Sequence, residues 1–193
     1  MSGAEGEPKS RFWSIFHTVG VKGALLLLIA STIALLFVRF DLLTQYRTDI
    51  AGAEFNVVYG VQKVMLGIPL YQDPEEPPFD IIQYTPLYYW LCGGIGRVLS
   101  IDPLDTYHVF LLSRILSLLL NGLTVWLVYR VARTAGAGLL AVWAALMVFA
   151  AFTQHFFARN DALYALFFMA SLHSFVKWAG DPEARGRALI GSA

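Results

Sequence analysis

The sequence predicts an all-α integral membrane protein with about four transmembrane helices, and composition is the first reason. Hydrophobic residues make up 57% of the chain and charged residues only 15%, whereas a soluble domain has about 25% charged residues. The mean hydropathy is correspondingly high, at +0.58. The second reason is the grouping of the apolar residues into long stretches with Lys and Arg at their ends. A chain of this kind has too little polar surface to coat a soluble globule.

Four apolar stretches approach the roughly 20 residues that a helix needs to cross about 30 Å of hydrocarbon. The predicted transmembrane helices cover residues 19–40, 109–131, 134–158 and 161–179. Each should be helical, because backbone groups in lipid need hydrogen-bond partners within their own segment. A polar lead, residues 1–18, precedes them, and residues 180–193 form a tail or the start of a further region.

Lys and Arg flank the predicted spans unevenly, which predicts their orientation. They gather in the N-terminal lead, after the second span and after the fourth span: Lys9, Arg11, Lys22, Arg130, Arg133, Lys177, Arg185 and Arg187. The sequence therefore predicts that both termini are cytoplasmic, in a cell inner or plasma membrane. The loop 41–108 and the turn 159–161 are then expected on the outer side.

The outer loop is long enough to require structure of its own. Apolar positions at helical spacing predict a juxtamembrane helix over about 49–66, which Gly67 and Pro69 should end. A second helix is predicted over 86–99; it is short and rich in Tyr and Trp, so it should lie in the membrane interface. Four acids lie between the two helices and suit either a solvated loop or a metal site: Asp73, Glu75, Glu76 and Asp80.

Charge and cysteine content exclude several classes of protein. Lys plus Arg and Asp plus Glu both number 14, so nothing in the charge balance favours nucleic acid as a partner. The single cysteine, Cys92, cannot form an intrachain disulfide and belongs to no Cys/His metal motif. His155 and His173 fit best as packed helix residues.

Three sequence motifs occur in a distinctive order along the chain. They are GIPLYQDP at 67–74, YTPLYYWL at 84–91 and ARNDALYALFFMASL at 158–172, and an acid-bearing outer helix precedes them. In this order and spacing the chain resembles the N-terminal portion of GT-C glycosyltransferases, which include the protein mannosyltransferase and aminoarabinose transferase relatives. The resemblance implies a polyprenyl-phosphate sugar donor, a lipid, glycan or protein acceptor, an inverting transfer, and a longer complete enzyme.

The resemblance also implies roles for individual residues. Proteins of this family carry an Asp-Glu pair soon after the first span. Here Glu54 matches the second residue of that pair, and Ala53 stands where Asp is expected. Glu54 is therefore expected to be the catalytic base, with Asp49 as the second candidate. Arg159 and Asp161 are expected to bind the lipid phosphate or a divalent metal ion, and Tyr84 and Tyr88 to contact substrate.

Structural interpretations of the same residues remain open. Asp49 suits a helix N-cap, and Glu54 suits a partner for the positive end of a helix. Arg159 and Asp161 could form an interfacial ion pair, and Tyr88 could be an aromatic anchor at the headgroup level. The corresponding alternative for the whole protein is a non-catalytic membrane scaffold or transporter module. Because the formal charges lie at the ends of the spans, the sequence favours the enzyme over transport.

Overall fold

A computed structural model describes residues 8–45, 53–75, 77, 82, 84–151 and 158–181. Within these residues every regular element is an α-helix, which confirms the all-α class. The six helices are α1 (Pro8–Thr44), α2 (Ala53–Leu66), α3 (Leu87–Val98), α4 (Thr106–Thr134), α5 (Leu139–Ala151) and α6 (Asp161–Gly180). Helix α1 packs on α5, helix α4 on α6, and helix α2 on α3.

Three of the described helical segments are long and apolar enough to cross a membrane: Val19–Val38, Thr106–Thr134 and Asp161–Gly180. These are three of the four predicted spans, and they support an integral membrane protein. The remaining predicted span, 134–158, corresponds to α5, of which 13 residues are described. Residues 152–157 lie outside the described part, so the number four and the orientation stay predictions.

Helix α4 begins at a side-chain cap. The Asp105 carboxylate accepts a hydrogen bond from the His108 backbone N–H, at 3.2 Å, and its other oxygen lies 2.6 Å from the His108 ring. The contact with His108 lowers the pKa of the exposed Asp105 carboxyl. The cap satisfies a backbone N–H group in the first turn of α4 that has no partner within the helix.

The hydrophobic core lies outside the predicted spans as much as inside them. Its members come mainly from α2, α3, the first half of α4 and the start of α6. The most buried are Val57, Val58, Val61, Tyr88, Tyr89, Cys92, Val109 and Ala158. On α2 these positions recur every three or four residues and form one face of the helix. Glu54 lies on this same face, so the helix directs its carboxylate into the core.

Glycine allows α2 and α3 to approach each other closely. A Cβ atom at Gly60 would lie 2.7 Å from Tyr89 Cε1, and one at Gly93 would lie 2.6 Å from Val64 Cγ1. Gly67 follows the last residue of α2 and has a φ of +76, a backbone conformation that residues with a Cβ atom adopt only at a cost in free energy. The 12 residues of α3 span about 18 Å, which is too short to cross the hydrocarbon.

Candidate functional site

Glu54 and Arg114 form a buried bidentate ion pair between α2 and α4. Arg114 Nε donates to Glu54 Oε1 at 2.7 Å, and Nη2 donates to Oε2 at 2.9 Å. Both side chains have 0% of their surface exposed. The planar guanidinium matches the two carboxylate oxygens, which is the geometry that makes such pairs strong.

The same guanidinium also binds the C-terminal end of α1. Arg114 Nη1 donates to the carbonyl oxygens of Leu43, at 3.2 Å, and Gln45, at 2.8 Å. The last carbonyls of a helix have no partner within the helix, so an arginine is well suited to them. The carbon of the guanidinium lies 4.1 Å from the centre of the Phe110 ring, which adds a cation–π contact.

A distant segment reaches this pair through its backbone. The Ala158 N–H donates to Glu54 Oε1 at 2.7 Å, across 104 residues of sequence. The next residue, Arg159, donates its backbone N–H to Ser117 Oγ at 3.0 Å. Helices α2 and α4 therefore both hold the turn that leads into α6, and this turn carries Arg159 and Asp161.

Arg159 and Asp161 form an ion pair at the surface of this turn. Arg159 Nη2 lies 3.2 Å from Asp161 Oδ2, and the two side chains are 22% and 63% exposed. Their exposure distinguishes them from the enclosed Glu54–Arg114 pair, which binds the backbone of the neighbouring Ala158. Among the other described candidates, Tyr84 is half-buried and Tyr88 is buried.

Tyr88 belongs to the same network and is buried. Its phenol oxygen lies 2.8 Å from the Ser113 carbonyl oxygen and 2.8 Å from Ser117 Oγ. Burial raises its pKa well above that of an ordinary tyrosine. On the same helix, burial raises the pKa of the Cys92 thiol to about 11. In this arrangement Tyr88 fixes α3 to α4 and is not exposed to bind a substrate.

The other predicted site residues are either outside the described residues or make contacts outside this network. Asp49 lies outside the described residues, as do Glu76, Asp80 and His155. Tyr84 lies in the loop before α3, where its carbonyl oxygen accepts a 2.5 Å hydrogen bond from the Tyr71 hydroxyl. Asp73 and Glu75 are exposed, and Asp73 Oδ1 accepts the Glu75 N–H at 2.9 Å, as in a solvated turn.

No group of three or more potential metal ligands comes together within the described residues. Of the four acids between α2 and α3, Asp73 and Glu75 are described, and the Asp73 carboxylate accepts the Glu75 backbone N–H. A divalent metal at Arg159 and Asp161 stays a prediction from the resemblance.

The partners that hold Glu54 are not apparent from the sequence motifs. Arg114, Ser113 and Ser117 lie inside the predicted span 109–131 and belong to none of the three motifs. The available signal was a spacing of three or four residues between polar side chains in an apolar helix: Ser113, Ser117, Asn121 and Thr124, all buried. Polar groups on one face of a membrane helix face protein rather than lipid.

Two further basic side chains of the outer loop, those of Arg97 and Lys63, form hydrogen bonds within the protein. Arg97 donates to the Met65 carbonyl oxygen at 3.1 Å and also to the Val64 carbonyl oxygen, at the end of α2. Lys63 is buried, and its Nζ donates to the Leu70 carbonyl oxygen at 3.3 Å and to Gln72 Oε1 at 3.1 Å. Arg97 thus binds the carbonyl oxygens at the C-terminal end of α2, as Arg114 binds those at the end of α1.

Comparison of the chain with protein-family models, with curated proteins and with solved structures finds no match. The functional assignment must therefore rest on the resemblance in motif order and on the chemistry of this site.

Proposed function

We propose that this protein is a membrane glycosyltransferase that transfers a sugar from a polyprenyl-phosphate donor to an acceptor at the outer face of the membrane. One observation carries the proposal. Two regions to which the resemblance assigns site residues, the outer acidic helix with Glu54 and the turn with Arg159 and Asp161, meet in one hydrogen-bonded network with α4.

The groups at this site suit the reaction. An acceptor hydroxyl attacks the anomeric carbon, the bond from that carbon to the phosphate oxygen breaks, and the polyprenyl phosphate leaves with the electron pair. Because this is one direct displacement, the anomeric configuration inverts. A carboxylate takes the hydroxyl proton, for which Glu54 and Asp49 are the two candidates, and the Arg159 guanidinium stabilises the departing phosphate.

A membrane donor also fits the position of the site. The network lies in the first half of α4 and at the start of α6, two candidate membrane spans. A lipid-linked phosphate would lie at the same level, where hydrocarbon meets water. Arg159 is the group there with both positive charge and partial exposure, so it is the expected phosphate ligand.

A non-catalytic membrane scaffold is the second candidate, and the buried ion pair favours it. Glu54 and Arg114 satisfy each other and the neighbouring backbone, as purely structural groups do. The two proposals differ in whether the partly exposed Arg159 acts on a ligand.

The test is release of polyprenyl phosphate by the protein in liposomes, with a panel of polyprenyl-phosphate hexoses and pentoses as donors and membrane extract as the source of acceptor. The wild type should release polyprenyl phosphate from at least one donor. Arg159→Ala should lower the rate at least about 100-fold, as removal of an electrostatic group at the reacting centre does.

Arg133→Ala is the matched control, because it removes an exposed arginine at the opposite end of α4 and should leave the rate unchanged. If the wild type releases nothing from any donor, the scaffold is the better assignment. Equal losses in the Arg159 and Arg133 variants would also count against the proposed site.

A further inference from the structure

We infer that Glu54 and Arg114 are a positioning pair, which sets the place of the turn carrying Arg159 and Asp161, and that Glu54 is not the base that takes the acceptor proton. This inference rests on the proposed function and changes the role that the resemblance implies for Glu54. It leaves Asp49 as the acid to take the proton.

Access to the carboxylate is the first argument. A general base must come within hydrogen-bond reach of the proton that it removes. Both oxygens of Glu54 already accept: Oε1 from Arg114 Nε and from the Ala158 N–H, each at 2.7 Å, and Oε2 from Arg114 Nη2 at 2.9 Å. With 0% of the side chain exposed, an acceptor hydroxyl has no path to either oxygen.

The connections of the pair are the second argument. Through Arg114 it binds the end of α1, and through Ala158 it binds the turn that leads into α6. The first contact holds the end of α1 against α4. The second fixes the backbone immediately before Arg159. One ion pair thus joins the end of α1 to the turn that carries the candidate phosphate ligand.

Paired substitutions distinguish positioning from proton transfer. Glu54→Gln and Arg114→Gln each leave one charged group buried without its partner, and each should lower transfer at least about 100-fold by displacing the turn. The double variant Glu54→Gln/Arg114→Gln buries no charge, and the amide oxygen that it places on α2 can still accept the Ala158 N–H. It should recover to within about tenfold of the wild type, with an unchanged pH profile of kcat.

A base cannot be rescued in this way. If Glu54 takes the proton, the double variant will be as inactive as Glu54→Gln alone, and the inference is overturned. In that case Asp49→Asn should also have little effect, whereas under the positioning model it lowers kcat about 10²- to 10⁴-fold.

A second readout does not depend on activity. In a Cys92→Ser background, a spin label at Asn160→Cys reports the turn, because the Asn160 side chain makes no capping hydrogen bond. The label should become more mobile in either single variant and return toward the wild-type spectrum in the double variant. A label at Ser171→Cys, exposed and further along α6, is the control and should not change.

The two readouts separate the failure of this inference from that of the proposed function. If the wild type transfers no sugar but the label at position 160 responds as expected, the enzyme proposal fails and the positioning pair stands. If the mobility of the label in both single variants is the same as in the wild type, the pair does not hold the turn, whatever the activity.

Discussion

The unit formed by α2, α3 and the first half of α4 differs from α1 in what covers its side chains. In the span window of α4, 50% of residues are buried within the protein, whereas in that of α1 the value is 6%. Helix α1 is nevertheless the more hydrophobic of the two, with a hydropathy of 2.4 against 1.8. Hydrophobicity therefore indicates which helix enters the membrane, and polar residues indicate which helix packs against protein.

The physical reason is that lipid tails are as apolar as leucine. Without water, there is no hydrophobic force to bring two apolar helices together, and association depends on close packing and on polar contacts. Helix α4 has both, in Arg114 and in its buried serines. Three pairs of substitutions and one measurement of thiol reactivity test this difference between the two regions.

The largest effect is expected at Arg114. Arg114→Leu leaves Glu54 buried without its partner, so the free energy of unfolding should fall by about 3–5 kcal/mol. Arg130→Leu is the control on the same helix; Arg130 is exposed and lies 5.3 Å from the Trp126 ring, and its loss should cost about 1 kcal/mol or less. Denaturant titration in detergent measures both values. Equal costs would show that the buried pair adds nothing to the stability of the unit.

Cys92 should react with maleimide at least about 100-fold more slowly at pH 8 than an ordinary thiol, because its side chain is fully buried and because a pKa raised from 9.0 to about 11 lowers the thiolate fraction by about that factor. The rate should rise with pH up to about 11. Since the neutral thiol is favoured by folding, its contribution to stability is complete below pH 9.0 and is lost as pH rises towards 11.

The control for this measurement is Ser171→Cys in a Cys92→Ser background, which places a thiol on an exposed face of α6. This thiol should react at the ordinary rate. Fast reaction of Cys92 at pH 8 would mean that α3 separates readily from α4.

Leucines in the two regions should respond differently to truncation. Leu116 on α4 is 8% exposed and Leu27 on α1 is 70% exposed. Leu116→Ala leaves a cavity in the protein and should cost about 2 kcal/mol, while lipid fills the space beside Leu27→Ala, so its cost should stay below about 0.5 kcal/mol. A large loss at Leu27, measured by the same titration, would show that this face of α1 is covered by protein rather than lipid.

The smallest effect is expected where α2 crosses α3. Gly93→Ala places a Cβ atom 2.6 Å from Val64 Cγ1, and the overpacking should exceed the gain in helix propensity by about 1 kcal/mol. Gly94→Ala is the neighbouring control, because no atom lies within 4 Å of its Cβ position. It should stabilise the protein slightly, and a cost as large as that at Gly93 would contradict the close crossing.

Much of the fold could be predicted from the sequence, because the interactions that determine it are local. The apolar stretches are long enough to cross a membrane as helices wherever they are placed, and three of them do form such helices. Gly67 and Pro69 predicted the end of α2, and the helix ends at Leu66. The family resemblance, the sugar donor and the orientation remain predictions.

The candidate site could be predicted only in part, since its contacts join distant segments. The sequence alone determined which residues have the chemical groups for the reaction. They are an acid after the first span, which can take a proton, and Arg159 beside Asp161 in a turn, which can bind phosphate. Only the tertiary structure decided that Glu54 is enclosed while Asp161 is exposed, because burial depends on which helix lies opposite. The partner of Glu54 is 60 residues away on α4, and no local pattern specifies a pairing across that distance.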